Sequence, residues 1–279
     1  MQVSGLRKAL LALEARYRGE RALQADPIRI PLAYPDAMDR EVAAWVAAHL
    51  AYGRVAPMIR AIEALMAPLG PHPAAWLRHQ PAARALEALE RAYEGWVWRF
   101  HTGTDMAHWL LAWRQLDLES GGRGLEPHLA PDPGGTLDDA LSRLVQRLRR
   151  ELPATHGLRF SLPDPAEGGA CKRWRMFLRW MVRPGWPDLG AWTRLSPADL
   201  VIPLDTHVAK TARLLGLSDR KNPDGRMAHQ VTEALRAMDD QDPLRFDFAL
   251  SHLGILGDCP GHKDLTICHA CPLYTYCKG

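Results

Sequence analysis

An all-α fold is the expectation for this 279-residue chain, and three observations carry it. Apolar residues recur at intervals of three and four over most of its length. Convincing runs of alternating apolar and polar residues, which a half-buried strand requires, are missing. The periodic segments are separated by Pro- and Gly-containing breaks, where a helix must stop.

The first segment, MQVSGLRKALLALEARYRGERALQ, sets Leu6, Leu10, Leu13 and Tyr17 on one face of an amphipathic helix. Its charges interrupt any long apolar run, which argues against a secretory signal and a membrane span and predicts a cytoplasmic protein with reduced thiols. After a break over residues 26–35, Asp36 or Asp39 can cap a helix that aligns Val42, Trp45, Val46, His49 and Leu50. Pro57 opens another, with Met58, Ile59, Ile62, Leu65 and Met66 apolar, and PLGPHP (68–73) closes it. Residues 74–119 read as shorter Trp-rich helices joined by turns such as HTGTD. A Gly/Pro-rich connector (119–135) leads to Thr136 and Asp139, which have the form of a capping box. Behind them Leu137, Leu141, Leu144 and Leu148 keep helical spacing. Residues 153–165 are again broken by proline, the helix CKRWRMFLRWMVR follows Gly168–Gly169, and Ser196–Pro197 marks a helix start.

The composition, 47% hydrophobic and 24% charged, is that of a globular protein of one large or two small domains. Most of its ten tryptophans belong in the core, where so large an apolar surface is best kept from water. A net charge of +3 speaks for an anionic partner only if the basic residues cluster.

Four of the five cysteines, Cys259, Cys268, Cys271 and Cys277, form the pattern C-x8-C-x2-C-x5-C. Four thiolates from one loop suit a [4Fe–4S] cluster, whose irons take soft sulfur ligands. Zinc is the alternative, although structural zinc sites more often pair two C-x2-C knuckles and one is present here. Disulfides would require an oxidising compartment.

Read together, GGACKRWRMFL, IPLDTHVAKTARLLGL and the cysteine tail form an ordered set. It resembles the endonuclease III-like branch of the helix-hairpin-helix DNA glycosylase superfamily. The resemblance covers roughly residues 168–279, with a fainter echo at VAAHLAYGR (46–54). It departs from the family in four ways. The hairpin reads AEGGACK in place of an L-P-G-V-G-x-K form, with Ala170 where a glycine is usual. RPGWPDLGAWTRL is inserted before the DTHV motif, the first cysteine gap is longer, and residues 68–165 match nothing in the family.

The resemblance implies a two-lobed fold: residues 36–195 as a helical bundle with the hairpin and an insertion, and residues 1–35 plus 196–279 as a second lobe carrying the cluster loop. Lys172 and Asp205 would face each other across the cleft. The implied activity is DNA base-excision repair on double-stranded DNA, by a monomer that associates with the nucleoid when bound. A modified base is removed by cleavage of its N-glycosidic bond, with abasic-site lyase activity as an addition. Asp205 is the carboxylate for the developing sugar cation or for activating the nucleophile, and the same residue is also a plain helix N-cap. Lys172 is the amine that would attack the sugar, and it is equally a phosphate-greeting residue at a helix start.

The expected DNA contacts are Gly168 and Gly169 in the hairpin, Arg173 and Arg175 after it, His49, Tyr52 and Arg54 in the fainter segment, and Lys263 in the cysteine loop. Arg175, Arg179 and Arg183, spaced by four, would extend a basic stripe toward phosphates. His49 also fits the apolar face of its helix, and His207 is expected to orient its turn. The rival readings are a catalytically silent iron–sulfur nucleic-acid-binding protein and an enzyme acting on RNA or nucleosides.

Overall fold

A computed structural model describes residues 3–278, with the Leu265 side chain outside the description. In chain order the helices are α1 (Val3–Tyr17), α2 (Glu20–Gln24), α3 (Arg29–Leu32), α4 (Ala37–Leu50), α5 (Val55–Met66), α6 (Pro73–His79) and α7 (Ala82–Ala92). A short hairpin of β1 (Val97–Trp98) and β2 (His101–Thr102) comes next, then α8 (Gly103–Glu119), α9 (Leu137–Glu151), α10 (His156–Ser161) and α11 (Lys172–Val182). The chain continues with α12 (Thr206–Leu215), α13 (Gly225–Arg236), α14 (Asp247–Ile255) and α15 (Leu265–Cys268). The protein is mostly helical, as its periodicity requires. No helix among the described residues is long and apolar enough to cross a membrane.

Two compact units emerge. Unit 1 comprises Met1–Asp26, Gly168–Arg179 and Ser196–Gly279, and unit 2 comprises Pro27–Glu167 and Trp180–Leu195. The sequence reading drew its boundaries at residues 36 and 196. The hairpin and the first turns of α11 instead group with the N- and C-terminal segments, so Lys172 and Asp205 lie in the same unit.

Unit 1 is organised by α14, against which α1 and α12 pack. Leu6, Leu10 and Leu13 of α1 are wholly buried, each burial stabilising by roughly 1.5–3 kcal/mol. Asp224 caps α13 by accepting from the Met227 amide at 2.9 Å.

In unit 2, Asp36 caps α4 through the Met38 and Asp39 amides. Asp39, the other candidate, is buried and accepts from the Ala74 amide at 2.9 Å instead. The Trp45 and Trp109 rings stack at 4.2 Å, and each indole N–H donates to the other's carbonyl. Such pairing leaves neither indole N–H unsatisfied in the core. Glu41 is buried beside them, its carboxylate accepting from Trp113 Nε1 (2.9 Å), the Leu125 amide (2.9 Å) and Trp192 Nε1 (2.6 Å). Burial pushes the Glu41 carboxyl up to about 7, against the lowering effect of these three donors. Gly124, at φ +67°, lies so close that any side chain there would collide with that carboxylate.

The capping box at Thr136–Asp139 forms as expected, and a second one, Thr102–Asp105, starts α8 where HTGTD read as a turn. The Ser196–Pro197 start yields only a short 3₁₀ turn over Pro197–Asp199.

Candidate active site and cysteine-lined cavity

The hairpin before α11 needs two left-handed residues. Gly168 supplies one at φ +81°, where glycine is favoured, and Cys171 the other at φ +47°, buried to 4% exposure. Ala170 is outside that region, which is why the missing glycine there is tolerated. The Gly168 carbonyl accepts from the Gly225 amide at 2.9 Å, tying the hairpin to the start of α13. A Cβ on Gly225 would come within 2.9 Å of the Gly169 carbonyl oxygen, so this close approach requires a glycine. Gly169 itself has open space around it.

Lys172 is the first residue of α11, and Asp205 immediately precedes α12. Lys172 Nζ lies 3.6 Å from Asp205 Oδ2, with the two side chains 33% and 15% exposed. Asp205 Oδ1 accepts from the His207 and Val208 amides at 2.9 and 2.8 Å. One oxygen therefore caps the helix, as one of the two sequence readings of Asp205 expects, while the other faces the lysine. The His207 ring lies against Gly254 of α14 so closely that any side chain at 254 would displace it.

The basic stripe is a correction. Arg173, Arg175, Arg179 and Arg183 are 8%, 3%, 3% and 3% exposed, and none offers its guanidinium to a phosphate. Arg175 Nε donates to the Ala170 carbonyl at 3.0 Å, Arg179 pairs with Asp247, and Arg183 pairs with Asp188. A spacing of four aligns side chains but does not say whether water or protein covers them. A buried guanidinium persists only with such partners.

His49 is likewise a core residue, fully buried, with Nδ1 2.9 Å from the Trp45 carbonyl and its ring against Trp45 and Trp109. It cannot reach DNA in this fold. Arg54 is exposed, and Tyr52 is half-buried, its hydroxyl 2.6 Å from His101 Nδ1. Lys263 is exposed, with Nζ 3.3 Å from the Cys277 carbonyl and 4.8 Å from the Tyr274 ring centroid.

The four clustered cysteines line one cavity together with Leu253, Asp258 and Leu273. All are half-buried, and among the described residues none is engaged in a disulfide. The Gly261 amide donates to Cys259 Sγ at 3.4 Å and the Asp264 amide to Cys268 Sγ at 3.3 Å. Burial and the neighbouring cysteines push the Cys271 thiol up and Cys277 to about 11, so thiolates form here only with a cation beside them. Among the described residues, no three metal-ligating side chains are grouped to hold a single ion.

Sequence reasoning missed what braces this loop. Tyr17 donates from its hydroxyl to Asp258 Oδ2 at 2.7 Å, next to Cys259, and Arg16 Nη1 donates to the Ala270 carbonyl at 3.4 Å, next to Cys271. The β1–β2 hairpin was missed too, its strands being two residues each.

Compared with known proteins, the chain matches over residues 26–256 a family model described as a protein of unknown function (DUF2400), and it belongs to that family. The match includes Lys172 and Asp205 and ends before Cys259. No curated protein and no solved structure matches the chain.

Proposed function

We propose that the protein is a DNA glycosylase that removes a modified base from double-stranded DNA, with Asp205 and Lys172 as its reacting groups. The observation that carries this reading is the approach of Lys172 Nζ to the uncapped oxygen of Asp205, 3.6 Å apart and open to solvent. Cleaving an N-glycosidic bond builds positive charge on the sugar, and a fixed carboxylate stabilises it. Asp205 is fixed because its other oxygen is bound to two helix amides. Alternatively, Asp205 takes the proton that the Lys172 amine must lose before attacking C1′, becoming neutral as it does so, and passes that proton to the departing base. In that attack the C1′–N bond breaks and the base leaves with the electron pair. Opening of the sugar ring then gives a Schiff base on Lys172, from which the strand is cleaved by elimination.

The cysteine cavity supports a [4Fe–4S] cluster held by Cys259, Cys268, Cys271 and Cys277. What supports this reading is that the four thiols line one cavity and come from a single loop, a donor set that suits iron–sulfur ligation. The amides directed at Cys259 and Cys268 are of the kind that stabilise cluster sulfurs. Cys259, Cys268, Cys271 and Cys277 would hold such a cluster and so fix the loop that carries Lys263, with no part in the bond cleavage.

The test uses anaerobically purified protein on duplexes bearing a panel of modified bases and an abasic site, scoring strand breaks with and without alkali. Breaks lost in Asp205→Asn establish base removal. A borohydride-trapped adduct lost in Lys172→Gln establishes the lyase step. No breaks on any substrate while DNA still binds would leave a binding module. Iron and sulfide content, with a brown colour, separates a cluster from colourless zinc.

A further inference from the structure

Unit 2 carries a feature that none of this chemistry uses, at the tip of the β1–β2 hairpin. Trp98 pairs with His101, so Arg99 and Phe100 form a two-residue turn. Arg99 sits at φ +51°, the position where such turns favour glycine. Beside it Val97 is 62% exposed, Phe100 46% and Phe160 of α10 36%. A strained arginine and three exposed apolar side chains at one tip weaken the isolated fold, and outliers of this kind mark functional sites.

The surface is built rather than loose. The Phe100 and Phe160 rings meet edge to face at 4.8 Å, and Tyr52 meets Phe160 at 5.1 Å. Beneath them His101 joins Tyr52 through Nδ1 (2.6 Å) and Ser161 through Nε2 (2.7 Å), fixing the hairpin to α10. Gly53, at φ +94°, makes room for the Arg99 side chain, whose Nε would stand 2.7 Å from a Cβ there. The Arg99 guanidinium is exposed beside these rings, and Arg54 and Arg159, next in sequence to Gly53 and Phe160, are exposed too.

We infer that this tip is a stacking platform for unpaired nucleobases, with these arginines on the flanking phosphates. Aromatic faces recognise bases without regard to sequence, and exposed cations select a polyanionic strand over an uncharged apolar partner. Paired bases hide their faces in the duplex stack, so the ligand is a single-stranded stretch of nucleic acid. The inference goes beyond base excision and is read out by binding, so failure of the glycosylase assignment would leave it standing.

The experiment measures anisotropy of labelled single-stranded DNA, single-stranded RNA and matched duplex with the full chain. Phe100→Ala is expected to weaken single-strand binding about tenfold and to leave duplex binding unchanged. Whichever of DNA or RNA binds more tightly identifies the source of the strand. Arg99→Gly is expected to weaken binding while leaving the melting temperature unchanged or higher, because glycine relieves the turn. Unchanged affinity in Phe100→Ala would overturn the proposal. So would a melting temperature lowered by Arg99→Gly, which would make the tip structural. Self-association abolished by Phe100→Ala would give the patch to a second copy of the chain and overturn it equally.

Discussion

Helix α11 holds two cation–carboxylate pairs of opposite character. At its first residue Lys172 meets Asp205 at 3.6 Å with both groups partly in water. Two turns on, Arg179 meets Asp247 with side chains 4% and 3% exposed. Both carboxylates flank the start of a helix, and only the surroundings differ. In the buried pair each charge is held by the other, because neither has water to return to. In the exposed pair the contact contributes little to stability and leaves both groups accessible to a substrate. Burial thus separates an ion pair that holds the fold from one that water can reach.

The largest effect expected from this contrast is on stability. Arg179→Met should destabilise by about 3–5 kcal/mol, since it removes a charged partner from a buried carboxylate. Adding Asp247→Leu should recover much of that loss. Denaturant unfolding checks both, and a single-variant loss below about 1 kcal/mol would break the comparison.

Asp205→Asn should do the reverse. Asparagine caps a helix about as well as aspartate, so stability should stay within roughly 0.5 kcal/mol while base release falls by about 10²–10⁴-fold. Asp205→Ala should show the same catalytic loss plus about 1 kcal/mol for the missing cap.

Glu41 sharpens the comparison as a buried carboxylate held by neutral donors. Its folded pKa of about 7 stands above the ordinary 4.5. The folded state therefore holds the proton more tightly than the unfolded chain. The stability this contributes is fully present below about pH 4.5 and is lost as pH rises to about 7, amounting to roughly 3–4 kcal/mol. Glu41→Gln should remove that slope, read as the difference between the two pH–stability profiles. Below about pH 4.5 it should also lower stability by about 1–3 kcal/mol, because its amide turns an N–H toward other N–H donors, and this deficit should shrink as pH rises toward 7.

The smallest effect is expected from Tyr17→Phe, about 1 kcal/mol for the lost bond to Asp258. Proteolysis of the cysteine loop should quicken measurably.

The sequence was most legible where structure is local. The caps at Asp36 and Thr136 are set by residues within one turn, and the Leu6, Leu10, Leu13 and Tyr17 face is set by helix period. Lys172 and Asp205 were found through a motif, and their approach depends on tertiary packing that spacing does not encode. The arginine row failed for a definite reason. Trp174, Phe177 and Met181 interleave it on a helix buried on most sides, so polar and apolar positions alike face protein. The β1–β2 hairpin was illegible because two-residue strands carry no alternation to read, and an arginine occupies the turn position where glycine would have announced it.

The contacts of α1 have a consequence for the order in which the molecule is made. Its apolar face packs on α14, and Tyr17 and Arg16 hold the segments just before Cys259 and Cys271. Residues 3–17 leave the ribosome long before residues 247–277 are synthesised. Throughout that interval Leu6, Leu10 and Leu13 have no partner to cover them, which leaves the nascent chain open to chaperones. Unit 1 closes only once residues 247–277 have been made and reach α1.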